Sequence, residues 1–312
     1  MERKHLTLKE KLTEHYQKRD FKPKKSSAST YGMIFFWTMS VSLLLEGIFI
    51  LLPNHFKEDN SVSSETSNFS SYRCAQLIAI WLFLASAANW SLTHFASINH
   101  VLKETKDKYF PDMLAAPPGW KSCLTCMIDV PQRSHHCTLC NQCILKRDHH
   151  CFFTGSCVGY HNQRHFVIFC LYNCLSLLYA GYLQLTYLNE GFPIFSSAAV
   201  FYVPVVALWY FLTGATSFIN IFVLTHLCLT IFCFGVSFFF LVWQVVIISR
   251  GQTSYEAWKQ IMAYRRRSVL ENLHSAFGNL LEFLLCLLLP VRLKMPGDGI
   301  KWTIEPKTEK GQ

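Results

Sequence analysis

Between Cys123 and Cys157 the chain reads CLTCMIDVPQRSHHCTLCNQCILKRDHHCFFTGSC. Seven of its 13 Cys fall in this one stretch, interleaved with His135, His136, His149 and His150. In a short secreted chain that many Cys would predict a disulfide scaffold, but thiols alternating with imidazoles predict metal. Zinc closes a structural site with four N or S ligands, and CxxC steps at 123/126, 137/140 and 140/143 give two thiolates the reach to share one ion. Eleven residues are candidates: Cys123, Cys126, His135, His136, Cys137, Cys140, Cys143, His149, His150, Cys151 and Cys157. They allow two complete sites with three residues over. A spare thiol flanked by spare imidazoles suggests chemistry beyond a staple. The alternative is a zinc-held loop with surplus polar residues, and spacing alone does not say which Cys is free.

On both sides of this stretch the chain turns apolar. Of 312 residues 51% are hydrophobic and 16% charged, with 26 Phe, a balance that excludes an ordinary soluble fold. A span needs about 20 apolar residues. Residues 33–52, 75–95, 166–188 and 218–248 qualify. Lys and Arg cluster in three places: nine in residues 1–30, eight in 96–165 and ten after Ser249. The positive-inside rule puts these segments in the cytosol. The expected layout is a cytosolic basic tail (1–32), span 1 (33–52), a luminal loop (53–74) and span 2 (75–95). The Cys-rich cytosolic domain (96–165), span 3 (166–188), a luminal or re-entrant segment (189–217), span 4 (218–248) and a cytosolic C-tail (249–312) follow. Residues 192–212 are largely apolar but broken by Pro193 and Pro204, and an even number of crossings keeps them from being a fifth span. Residues 279–290 are too short to cross and read as an interfacial helix. No cleavable signal is expected, since residues 1–30 lack its short apolar core. The sequon at Asn68 falls in the expected luminal loop. Glu46, inside span 1, would cost about 3 kcal/mol if charged at mid-bilayer, so packing or protonation is expected there. The net charge of +9 points to an anionic membrane surface, with no nucleic acid partner expected.

Asp148-His149-His150-Cys151, with CxxC at Cys123 and Cys126, His136-Cys137, Cys140, Cys143, Cys157, Asn162 and Phe166 around it, resembles the DHHC family of protein S-acyltransferases. The resemblance implies an all-α polytopic membrane protein of four transmembrane helices, with a cytosolic two-zinc Cys-rich domain between the second and third. It implies one Cys3His zinc site at Cys123, Cys126, His136 and Cys143 and another at Cys137, Cys140, His150 and Cys157, both structural. Cys151 is left as the nucleophile, His149 as its base and Asp148 as the group that orients the base, with His135 unassigned. The chemistry of such a trio is general: an imidazole that takes a thiol's proton creates a strong nucleophile, and a carboxylate fixes the tautomer.

The activity implied is transfer of a long-chain acyl group, palmitoyl, from acyl-CoA to Cys of membrane-associated proteins, through a thioester on Cys151. Two structural Zn2+ and acyl-CoA as donor are the expected cofactors, the bilayer and cytosol-facing substrate proteins the expected partners. The expected location is a membrane of the endoplasmic reticulum or Golgi, with both termini cytosolic. Lys146, Arg147, Arg164 and Arg265 to Arg267 are candidates for the CoA phosphates. Gln252-Thr253-Ser254-Tyr255-Glu256 is similar to the family's TTxE motif with Ser for the second Thr, and Asn272 with Phe277-Gly278 to its C-terminal motif. Phe152-Phe153 stands where the family usually has Pro-Trp, and its Asp-Pro-Gly motif is absent. A catalytically inactive zinc-stabilised scaffold is the rival reading, and a transporter with a regulatory zinc loop is a second.

Overall fold

The structure is a computed structural model that describes residues 26–57, 65–95, 99–102, 105–113 and 115–302. Most of the expected N-terminal tail and the last ten residues lie outside the described residues, as does the side chain of Asn68. Among the described residues four helices are long and apolar enough to cross a membrane. They are α1 (Ser27–His55, with a π-helical turn at Gly47–Leu51), α2 (Glu65–His94), α4 (Gln163–Gly191) and α6 (Phe218–Ser249). α1 and α4 extend beyond their apolar stretches at both ends and α2 starts ten residues before its own, because backbone hydrogen bonding continues beyond the apolar residues, whereas α6 matches its stretch to within one residue. The sequon at Asn68 consequently lies on α2 rather than in a loop.

Half of the apolar window of α4 is buried, against 17–28% for the other three, which makes α4 the central helix, packed on both α2 and α6. Apolar burial gives little drive between helices in lipid, so polar bonds and close packing hold such bundles. Ser86 Oγ on α2 donates to Asn173 Oδ1 on α4 at 2.8 Å. Gln184 Nε2 on α4 donates to Glu46 Oε2 at 2.9 Å, and His226 Nδ1 on α6 bonds the same oxygen at 2.9 Å. Glu46 thus ties α1, α4 and α6 together, which accounts for an acidic residue in an apolar helix by packing. Between α4 and α6 lie a 3-10 turn (Ser197–Tyr202) and α5 (Pro204–Leu212), whose nine residues reach only about 13 Å.

The expectation of an all-α protein is corrected in the Cys-rich segment. After the short α3 (Thr105–Tyr109) come six three-residue strands: β1 (Lys121–Cys123), β2 (Ile128–Val130), β3 (His135–Cys137), β4 (Gln142–Ile144), β5 (His149–Cys151) and β6 (Ser156–Val158). They pair as three antiparallel hairpins, β1–β2, β3–β4 and β5–β6. Strands this short carry little hydropathy signal, and their period was masked by ligand residues.

α6 has 32 residues, about 48 Å, which exceeds a hydrocarbon core of about 30 Å. Its far end meets the hairpins and leads to α7 (Ser254–Trp258), α8 (Val269–Phe277) and α9 (Leu280–Leu288). Capping boxes at Thr253/Glu256 and Asn279/Glu282 start α7 and α9. This tail folds back on α4, where Tyr172 donates to the Leu287 carbonyl at 2.5 Å.

Candidate active site

The three hairpins repeat one another. Cys123, Cys137 and Cys151 are 14 residues apart, as are Cys126, Cys140 and Thr154, and each turn closes on a residue with positive φ: Met127 (53°), Asn141 (53°) and Gly155 (63°). In the first two turns the backbone N–H of the second Cys points at the first sulfur, Cys126 to Cys123 at 3.4 Å and Cys140 to Cys137 at 3.5 Å. The third turn keeps this form with Thr154 in place of the second Cys. Cys151 therefore occupies a knuckle position without a partner thiol. The 14-residue period was readable in the sequence and would have singled out Cys151 without any resemblance.

Two sets of ligand atoms converge, Cys123, Cys126, His136 and Cys143 in one, Cys137, Cys140, His150 and Cys157 in the other, each within 4.8 Å. Successive residues on a strand face opposite ways, so His136 and Cys137 of β3 send one side chain to each set. His136 is opposite Cys143 in one hairpin and His150 opposite Cys157 in another. The donors fit zinc: a tetrahedron with Zn–S of about 2.3 Å has S–S edges of about 3.8 Å. Cys143 and Cys126 sulfurs lie 3.8 Å apart, Cys140 and Cys157 sulfurs 3.6 Å, and His150 Nδ1 stands 3.3 Å from Cys140. On its other side His150 Nε2 bonds Ser29 Oγ of α1 at 2.9 Å, a contact from outside the motif that nothing in the local sequence signals. Such an outer bond fixes the orientation of a ligand imidazole. His135 belongs to neither set; its ring lies 4.0 Å from that of Tyr255.

Asp148, His149 and Cys151 meet where the hairpins touch the bundle. His149 Nδ1 donates to Asp148 Oδ2 at 2.7 Å, with its ring stacked on Phe240 and edge-on to Phe166. The same carboxylate accepts from Gln244 Nε2 at 2.7 Å, from the Ser254 hydroxyl at 2.9 Å and from the Ser254 N–H at 2.6 Å. Burial alone would raise the Asp148 carboxyl, but the donors from His149, Ser254 and Gln244 hold it below its ordinary range. Burial also opposes charge on His149, and the Asp148 carboxylate with the neighbouring Cys151 sulfur raises it to about 9. Burial works against the Cys151 thiolate, yet His149 and the Thr154 N–H lower that thiol. The turn after Cys151 is pinned from above. Trp90 Nε1 donates to the Phe153 carbonyl at 2.9 Å, and a Cβ at Gly32 of α1 would come within 2.5 Å of the Phe152 oxygen, so only glycine fits there.

Beneath Cys151 an apolar, partly open cavity runs between α1, α4 and α6. Phe153, Phe166 and Phe240 surround its mouth, and Leu43, Leu177 and Cys233 lie deeper. From Phe166 to Leu177 the helix rises about 16 Å. Ser176 does not line it; that residue faces a second cavity between α1, α2 and α4, which shares Ser40, Leu43, Asn173 and Leu177 with the first.

On the side away from the cavity, Arg133 locks the hairpins to the segment after α6. Its guanidinium donates to both carboxylate oxygens of Glu256, at 2.7 and 2.6 Å, and to the Gly251 carbonyl at 3.0 Å, between the rings of Tyr264 and Trp302. Arg133 carried no motif signal. Asn272 donates to the Ser249 carbonyl at 3.0 Å and accepts from the Arg266 N–H, while Asn162 donates to the carbonyls of Thr93 and Cys157. Arg133, Lys146, Arg265, Arg266 and Lys301 line a polar cavity. Arg164 does not join them: it is fully buried, held by the Ala276 carbonyl at 3.3 Å and Cys286 at 3.4 Å, and serves as a strut rather than a phosphate partner. Lys146 is nearly as buried, and burial with Arg133 nearby brings it down to about 7.

Four apolar helices long enough to cross a membrane, with a Cys/His module that could hold two metal ions, describe a multi-pass membrane protein. The family model for DHHC palmitoyltransferase matches residues 117–261, which bears out the resemblance to the DHHC family. It is 34% identical over 203 residues to a probable palmitoyltransferase, ZDHHC24, of Danio rerio, covering 61% of this chain and 65% of that protein. To palmitoyltransferase ZDHHC22 of Mus musculus it is 35% identical over 140 residues, 43% of this chain and 51% of that one. The matched stretch thus spans between half and two thirds of these relatives' length.

Proposed function

We propose that this protein is a protein S-acyltransferase that accepts a long-chain acyl group, palmitoyl, from acyl-CoA onto Cys151 and passes it to Cys of membrane-associated proteins at the cytosolic face. The observation that carries this reading is the position of Cys151, at the mouth of an apolar cavity and beside an imidazole held by a buried carboxylate. The acyl chain occupies the cavity while the thioester carbonyl sits at Cys151. The Cys151 thiolate attacks that carbonyl, the C–S bond to CoA breaks, and the departing CoA thiolate takes the proton from His149. In the second half a substrate thiol gives its proton to His149 and attacks the acyl-Cys151 carbonyl, releasing the Cys151 thiolate. Asp148 keeps the His149 tautomer fixed throughout.

Cys123, Cys126, His136 and Cys143 would hold one zinc, and Cys137, Cys140, His150 and Cys157 the other. Four protein ligands each leave no open position, so the ions would supply rigidity alone. The hairpin module then forms the cytosolic domain, with both chain termini on the same side and the protein in the endoplasmic reticulum or Golgi membrane. Arg147 and Arg265 to Arg267 would meet the CoA phosphates.

The test is incubation of purified protein with labelled palmitoyl-CoA. A hydroxylamine-sensitive label on Cys151, absent from Cys151→Ser that still carries two zinc ions, is the expected result. No label on zinc-loaded wild-type protein would overturn the proposal in favour of an inactive scaffold.

A further inference from the structure

Asp148 is held from a direction that no motif describes. Lys146 Nζ donates to Gln163 Oε1 at 3.1 Å, Gln163 Nε2 to Gln244 Oε1 at 3.0 Å, and Gln244 Nε2 to Asp148 Oδ2 at 2.7 Å. Lys146 is 6% exposed, Gln163 1% and Gln244 0%, so water does not substitute along the file. The carboxylate end sets its direction: an ionised carboxylate only accepts, so Gln244 turns its N–H to Asp148 and its oxygen to Gln163, and Gln163 turns its own oxygen to Lys146 Nζ. Both amides therefore turn the same way, with every N–H pointing toward Asp148. We infer that Gln163 and Gln244 are positioning residues for acyl transfer, and that with Lys146 they form one directed file fixing the carboxylate that orients His149.

Two buried amides at the junction of bundle and hairpins cost free energy unless fully paired, and the file pairs them only in this arrangement. Asp148 Oδ2 is shared by His149, Gln244 and Ser254. Without Gln244 the carboxylate is left to donors on its other flank, and its grip on His149 Nδ1 turns with it. The outer end of the file, Lys146, borders the polar cavity beside Arg133 and Trp302, whereas its inner end acts on the triad. None of the three side chains lines the acyl cavity, so the expected loss is in the chemical step rather than in donor binding.

This inference rests on the proposed acylation of Cys151, and one experiment separates the two. Full-length, zinc-loaded Gln163→Met, Gln244→Met and the double variant are compared in single-turnover acylation by labelled palmitoyl-CoA, with Cys151→Ser as blank. Each single change is expected to slow acyl-enzyme formation roughly tenfold with KM for the donor unchanged, since a hydrogen bond to a charged group is lost. Because one break disables the whole file, the double variant is also expected near tenfold rather than about a hundredfold. Losses that multiply, or single variants as fast as wild type, would overturn the file while leaving Cys151 acylation intact. Absence of label on wild-type Cys151 would overturn both. Should Gln244→Met lose zinc, Gln244→Asn replaces it, keeping an amide that falls one methylene short of Asp148, with the same outcomes expected.

Discussion

Replacing Glu256 with Leu strands the Arg133 guanidinium between Tyr264 and Trp302 with a single acceptor, the Gly251 carbonyl. The pair is almost dry, 3% and 2% exposed, so the loss is that of an uncompensated buried charge, about 3–5 kcal/mol. Glu256 also accepts from the Thr253 N–H as half of a capping box, which adds about 1 kcal/mol. A domain of this size loses about 2–4 °C per kcal/mol, so Glu256→Leu is expected to lower Tm by roughly 8–24 °C. Arg133→Met leaves the carboxylate buried and should fall by a similar amount. The double variant Arg133→Met/Glu256→Leu removes both charges into a pocket already lined by rings, and should unfold well above either single one. Thermal unfolding of zinc-loaded protein in detergent, followed by circular dichroism, reads all four. A double variant whose drop equals the sum of the two singles would refute the argument, because it would mean that the groups do not interact.

Cys126→Ala and Cys140→Ala should each lose metal and unfold the hairpin module, whereas Cys151→Ser should keep two zinc ions; metal analysis of the purified variants decides it. His149→Ala should stay zinc-loaded and acylate about a hundred- to ten-thousand-fold more slowly, while His150→Ala loses zinc; equal metal content in the two would reverse their assigned roles. Ser29→Ala should weaken zinc binding about 10- to 100-fold in a chelator competition, and an unchanged affinity would mean that its bond to His150 Nε2 orients nothing. Leu177→Phe, which fills the deep end of the cavity below Cys151, should shift preference toward shorter acyl-CoAs in a competition assay. Ser176→Phe should leave that preference alone, since its side chain faces the neighbouring cavity.

The four apolar helices were legible in hydropathy and a Cys/His metal module in its spacing, whereas the division of eight residues into two ligand sets came only with the family resemblance. What escaped was whatever depends on two distant segments meeting. Ser29 and His150 are 121 positions apart, Arg133 and Glu256 123, and Gln244 and Asp148 96. Each is an ordinary polar residue in its own neighbourhood. Arg164 misled for the related reason that charge in a sequence says nothing about depth: it looked like a phosphate partner and is a buried strut. Depth along a helix fixes how far a side chain is from the surface, not which neighbour it turns to: Ser176 and Leu177 lie at nearly one depth on α4, and only Leu177 lines the cavity below Cys151.

The middle hairpin carries ligands for both metal sets, His136 and Cys143 for one and Cys137 and Cys140 for the other. Its three-residue strands make too few bonds of their own to stay folded once either side lets go. With both sets loaded, neither ion could then leave alone without loosening half of its neighbour's cage. Occupancy should be close to all-or-none, with fully loaded and metal-free chains dominating a chelator titration and singly loaded chains scarce. A cell short of zinc would in that case hold fewer competent molecules rather than a population of uniformly weakened ones.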